Sequence, residues 1–106
     1  MSVGDWGVPT TVKNTTTALL DEVREAKGLR SDYALAKLLN VRTQTITSYR
    51  TGRTQMSDEM ALRATRVLGR AAAPVFAQLA AERANDPEVA KVWADAARVL
   101  TRSSRK

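Results

Sequence analysis

Cysteine and histidine are both missing from these 106 residues. Without cysteine there is no disulfide framework, no thiolate nucleophile and no Cys-based zinc site. Without histidine, the usual general base near neutral pH and the commonest metal ligand are gone as well. The acids Asp21, Glu22 and Glu25 read as a solvated helix face, and no nucleophile, base and oxyanion donor assemble elsewhere. No catalytic activity, metal or cofactor is therefore expected. Aromatic residues make up only 5% of the chain, and the longest apolar run, AAAPVFA from Ala71 to Ala77, is far too short to span a bilayer. The N-terminus lacks a basic start followed by an apolar stretch, so no signal peptide is expected and a cytoplasmic protein is the plain expectation.

What is present favours helices: abundant Ala, Leu, Arg and Glu within a composition that is 43% hydrophobic. The length suits one domain, or one small domain with an appended helical arm, large enough to bury a core unaided. Basic residues outnumber acidic ones 17 to 11, a net charge of +6. Such an excess points to a polyanionic partner. Its distribution is uneven. Residues 30–53 hold Arg30, Lys37, Arg42, Arg50 and Arg53 against the single acid Asp32, a local excess of +4.

Turn and cap residues divide the chain into six helical segments and show no strand pattern or internal repeat. Residues 1–13, with Gly4, Gly7, Pro9 and an isolated Trp6, read as a flexible arm. A first helix is expected from Asn14–Thr16 to Lys27, burying Leu19, Leu20, Val23 and Ala26, with Gly28 as its left-handed stop. Ser31 caps a second, with Ala34, Leu35, Leu38 and Leu39 as its apolar stripe and Asn40 as its stop. A third spans about Thr43 to Thr51, ending at Gly52. Ser57 caps a fourth that turns Met60, Ala61, Ala64, Val67 and Leu68 inward and stops at Gly69. Pro74 opens a fifth, running to about Ala84 and burying Val75, Phe76 and Leu79. Asp86 and Pro87 restart the chain into a sixth, expected to bury Val89, Val92, Trp93, Ala96 and Leu100. The fold class is all-α, a compact bundle of five to six helices.

The second and third segments, LAKLLNVRTQTITSYRTG, describe a helix-turn-helix. Leu35, Ala36, Leu39, Val41, Ile46 and Tyr49 occupy the positions where such a unit packs on itself. The third helix has little else to bury, and threonine is a mediocre helix former. On a wheel at about 100° per residue from Thr43, the residues Gln44, Thr47, Ser48 and Thr51 fall between about 0° and 140°. Ile46 and Tyr49 lie nearly opposite, at about 300° and 240°. One face packs while the other presents hydroxyls and an amide. Those groups suit base edges, Gln matching adenine and a Thr methyl matching thymine.

At these residues the chain resembles the lambda-repressor-like helix-turn-helix family, the Cro/CI type of phage and bacterial regulators. The resemblance covers roughly residues 15–69, and a looser likeness to small phage regulators continues through GRTQMSDEMALRATRVLG. It implies a helical bundle that binds operator DNA as a dimer, with the third helix in the major groove. Position by position, Arg42, Thr43, Gln44 and Ser48 match the base-reading places, with Thr47 beside them. Arg50, Thr51 and Arg53 match the end of the helix and the loop that contact the DNA backbone. Two residues depart from the pattern: Asn40 stands where the turn usually has Gly, and Asp32 where the second helix often begins with Gln. The expected organisation is an arm over 1–13, a DNA-binding domain over 14–70, a helical hairpin over 71–101 and a basic tail over 102–106. The hairpin is expected to form the homodimer through Phe76, Leu79, Val92, Trp93 and Leu100. The expected function is a transcriptional regulator of phage or prophage type, acting at a palindromic operator in the bacterial cytoplasm and nucleoid. The alternatives are the antitoxin of a toxin–antitoxin pair, with a toxin as partner, and an interaction module that binds a host protein without DNA.

Overall fold

A computed structural model describes residues 11–104, so Trp6 and the first ten residues lie outside it. All regular structure among the described residues is helical, in six segments. They fall into two compact units that divide between Gln55 and Met56.

The first unit holds α1 (Thr15–Lys27), α2 (Asp32–Leu39) and α3 (Thr43–Arg50), each in contact with the other two. Caps set the helix ends. The Asn14 side chain accepts from the Thr17 N–H at 2.9 Å while Thr17 Oγ1 accepts from the Asn14 N–H, a reciprocal capping box. Gly28 ends α1 in the left-handed conformation, and the Leu29 N–H returns to the Arg24 carbonyl at 2.9 Å. Ser31 caps α2 by accepting from the Ala34 N–H. Leu19, Leu20, Val23, Leu35, Leu39, Ile46 and Tyr49 are buried. A fully buried Leu or Ile contributes about 1.5–3 kcal/mol relative to an exposed one, so these side chains dominate the unit's stability. Ala26 and Leu38, expected inside, are both exposed. The apolar arc of each helix is narrower than the sequence spacing suggested, and these two fall beyond its edge.

The second unit comprises α4 (Asp58–Leu68), α5 (Ala73–Arg83) and α6 (Pro87–Ser104). Ser57 caps α4, and Gly69 ends it in the left-handed region. Three residues link α5 to α6, which pack together as a helical hairpin. The compact units thus divide before α4, whereas the expected domain boundary lies after it, at residues 70 and 71. α4 packs on α5, and its buried Met60, Ala61 and Ala64 belong to the later unit. The tail is also shorter than expected, because α6 continues through Arg102 to Ser104.

The sixth helix departs furthest from expectation. Val89, Val92 and Trp93 are exposed and Ala96 and Leu100 only half-buried, while Ala97 is the buried residue of α6. A helix this rich in alanine packs on α5 through its smallest side chains, which let two helices approach closely. That leaves the larger apolar residues outside. No helix among the described residues is long and apolar enough to cross a membrane.

Candidate nucleic-acid interface

Three residues, 40–42, separate α2 from α3. Asn40 takes the left-handed conformation (φ 61°), which lets the chain reverse without glycine. Its N–H and that of Val41 return to the Lys37 and Ala36 carbonyls, at 3.2 and 2.9 Å. The turn is thus fixed by backbone bonds on its incoming side. Ala36 is buried and Val41 half-buried, so the crossing is made over small side chains. Ile46 is fully buried and Tyr49 is 6% exposed, which fixes the rotation of α3 about its axis.

That rotation turns Thr43, Gln44, Thr47, Ser48 and Thr51 outward, and together with Arg53 they line a concavity of about 750 Å³. The hydrogen bonds decide what each can offer. Thr47 Oγ1 donates to the Thr43 carbonyl at 3.3 Å, and Thr51 Oγ1 to the Thr47 carbonyl at 3.0 Å. Their hydroxyl protons are committed to the helix, so both groups meet a ligand as acceptors. The Gln44 amide makes no bond among the described residues and keeps both its donor and its acceptor. Arg42, before the helix, and Arg53, after it, are exposed and form no ion pair among the described residues. On α2, the Lys37 ammonium sits 5.3 Å from the centre of the exposed Tyr33 ring. Eight residues give α3 a length of about 12 Å, close to the width of a B-DNA major groove.

Arg50 does not belong to this face. Its placement on the DNA backbone is overturned by its burial: it is 8% exposed and turned toward the other two helices of its unit. Nε and Nη2 form a fork on Asp32, to Oδ2 and Oδ1, each at 3.1 Å. Nη1 donates to Asp21 Oδ1 at 2.6 Å, and Arg24 Nη1 adds a further bond to Asp32 Oδ1 at 3.1 Å. Burial by itself would lower the Arg50 pKa, but hydrogen bonds to Asp32 and Asp21, with their negative charge, outweigh it and raise the value above the ordinary arginine range. Every buried side-chain polar atom among the described residues has a partner. The charge of Arg50 is consumed in joining three helices.

Sequence reasoning missed Asp21, Arg24 and Asp32 as members of this cluster. On the same wheel Arg50 falls at about 340°, at the edge between Ile46 at about 300° and the outward Thr43 at 0°, so only its packing against α1 and α2 marks it as inward. A charged residue at that angle needs an acid across the packing, and Asp32 supplies it. Val12 completes this end of α3. Its N–H donates to the Arg50 carbonyl at 2.8 Å, and its own carbonyl accepts from Thr17 Oγ1 at 2.8 Å. The last residues of the expected arm are therefore fastened to α3.

The proposed dimer residues separate into three groups. Leu79 is fully buried and unavailable to a partner, because it faces the interior of its own unit. Phe76 and Leu100 are half-buried, and Val92 and Trp93 are exposed. In comparisons with known proteins, no family model, curated protein or solved structure matches the chain.

Proposed function

We propose that this chain is a sequence-specific regulator that binds double-stranded DNA by laying α3 in the major groove. One observation carries the reading: the outward face of α3 gathers hydroxyl oxygens and the unbonded Gln44 amide in a concavity whose described lining holds no acid, flanked by Arg42 and Arg53, which form no ion pair among the described residues. A helix selected only to cover a core gains nothing from five hydroxyl and amide residues on its far side. A major groove presents donors and acceptors within reach of such groups, and phosphates flank it within reach of Arg42 and Arg53. The resemblance to lambda-repressor-like regulators supports the same assignment of Thr43, Gln44, Thr47 and Ser48 to bases. It also supports binding as a dimer, whose operator would be an imperfect palindrome with half-sites spaced by about 10–10.5 base pairs or a multiple.

The test begins with selection of preferred duplexes from a random pool, followed by titration of the preferred and a scrambled duplex by fluorescence anisotropy. Gln44→Ala should cost about 1–3 kcal/mol on the preferred site and leave the scrambled duplex nearly unaffected. Equal losses on both would remove Gln44 from base reading. Absence of any salt-dependent duplex binding would remove the function itself.

A further inference from the structure

Around α6 the side chains sort into three faces. On a wheel started at Val89, Ala90, Ala94 and Ala97 lie between about 80° and 140°. Ala97 is buried there and the other two half-buried, the side on which α6 packs against α5. Glu88, Lys91, Asp95, Arg98 and Arg102 occupy about 180° to 260°. Val89, Val92, Ala96 and Val99 fill the remaining arc, from about 280° to 0°, with Trp93 at its margin. The large side chains of this third face stand exposed among the described residues: Val89 is 46% exposed, Val92 66%, Val99 58% and Trp93 43%, while Ala96 and, at about 20°, Leu100 are half-buried. The valine face repeats at alternating steps of three and four, the spacing of a coiled-coil seam.

The charges beside the seam are distributed unevenly. Asp95, at its middle, already pairs with Lys91 at 3.2 Å and with Arg98. Glu88 at one end and Arg102 at the other are exposed and form no ion pair among the described residues. An acid and a base at opposite ends of one stripe are completed by the same stripe reversed. A parallel copy would instead set Glu88 against Glu88 and Arg102 against Arg102.

We propose that α6 self-associates antiparallel to α6 of a second copy, about a two-fold axis near Ala94. Val89 then lies against the partner's Val99, and Val92 against the partner's Ala96, each pairing occurring twice. The small Ala96 opposite a valine allows close approach. Glu88 reaches the partner's Arg102 at both ends, and the two Trp93 rings meet beside the axis. This names the surface of the dimer in the DNA-binding reading, but it stands on α6 alone. The stripe is about 21 Å long and one helix wide, which places the contact among small, reversible interfaces with micromolar dissociation.

Sedimentation of the intact chain from about 1 to 200 μM, without DNA, tests this apart from the DNA reading, over the concentrations expected of a weak interface. The dimer fraction should rise across that range. Val92→Glu and Val99→Glu should each give a monomer throughout with unchanged helical circular dichroism, since neither side chain is buried. Glu88→Arg or Arg102→Glu alone should weaken association about tenfold, two exposed pairs each turning from attraction to repulsion. The double variant Glu88→Arg/Arg102→Glu should recover it. A chain monomeric at every concentration overturns the proposal, as does a dimer indifferent to Val92→Glu. Single charge variants without effect, or a double variant without recovery, overturn the antiparallel register. A monomer that carries a different protein through purification, lost on Val92→Glu, overturns the second copy as occupant.

Discussion

Replacing Arg50 with Ala separates a structural arginine from a DNA-contacting one. The two bonds to Asp32 form a fork between an arginine side chain 9% exposed and an aspartate side chain 33% exposed, at 3.1 Å. Asp21 is 66% exposed and returns to water when released, so its bond adds little despite its 2.6 Å length. An exposed ion pair contributes at most about 1 kcal/mol, and breaking a fully buried one costs about 3–5 kcal/mol. The Asp32 fork lies between these limits. Arg24 remains beside Asp32 at 3.1 Å and neutralises part of what is lost. The expected cost is about 2 kcal/mol, including the packing of the aliphatic stem. Local opening of α3 would then become about thirtyfold more populated. Amide hydrogen exchange across residues 46–50 should accelerate by that factor, while α6 exchanges as before. On DNA, the salt dependence of nonspecific binding should keep its slope, because no phosphate contact has been removed. If exchange is unchanged and the slope falls by about one, Arg50 lies on phosphate and its assignment to the helix junction is wrong.

Arg53→Ala should behave in the opposite way, lowering the salt slope by about one with no change in exchange of α3, as a salt titration on random duplex would show. Gly52→Ala should destabilise the first unit by about 1 kcal/mol or more, measured by urea unfolding: its φ is +77°, and a Cβ there would come within 3.2 Å of Val12 Cγ2. Leu79→Ala should cost about 2–5 kcal/mol in the second unit, whereas Val92→Ala should leave the unfolding of the monomer nearly unaltered. Stability owed to Arg50 is fully present below the unfolded arginine pKa and is lost only as pH rises through the raised folded value. Wild type and Arg50→Ala should therefore differ by a constant amount from neutral pH to about pH 11 in parallel unfolding titrations.

The helix ends were legible because local chemistry dictates them. Asn14, Ser31 and Ser57 cap the helices at which they were placed, and Gly28, Asn40 and Gly69 end helices in left-handed conformations. The outward rotation of Gln44 and Thr47 followed equally from the two apolar residues opposite them. Partnerships across the chain were less legible. Arg50 reads as one more cation in a basic stretch until Asp32, eighteen residues away, is placed against it. A charge count treats both as surface, whereas packing cancels one against the other. The sixth helix hid a different ambiguity. It carries enough apolar residues for two faces, and periodicity alone does not say which meets α5. Alanine won because small side chains allow the closer contact, leaving the valines outside. The unit boundary was obscured for a related reason: Gly69 and the alanines after it look like a joint, but α4 packs on α5 across them.

The bond from the Val12 N–H to the Arg50 carbonyl has a practical side for anyone handling this protein. The bond holds the backbone of Val12 against the C-terminal end of α3. A fluorophore attached at residues 11–13 therefore sits beside the backbone of Arg50, close to the loop that carries Arg53. Under the proposed function, duplex affinities measured with such a label will carry a contribution from it, and comparison with the unlabelled chain measures that contribution directly.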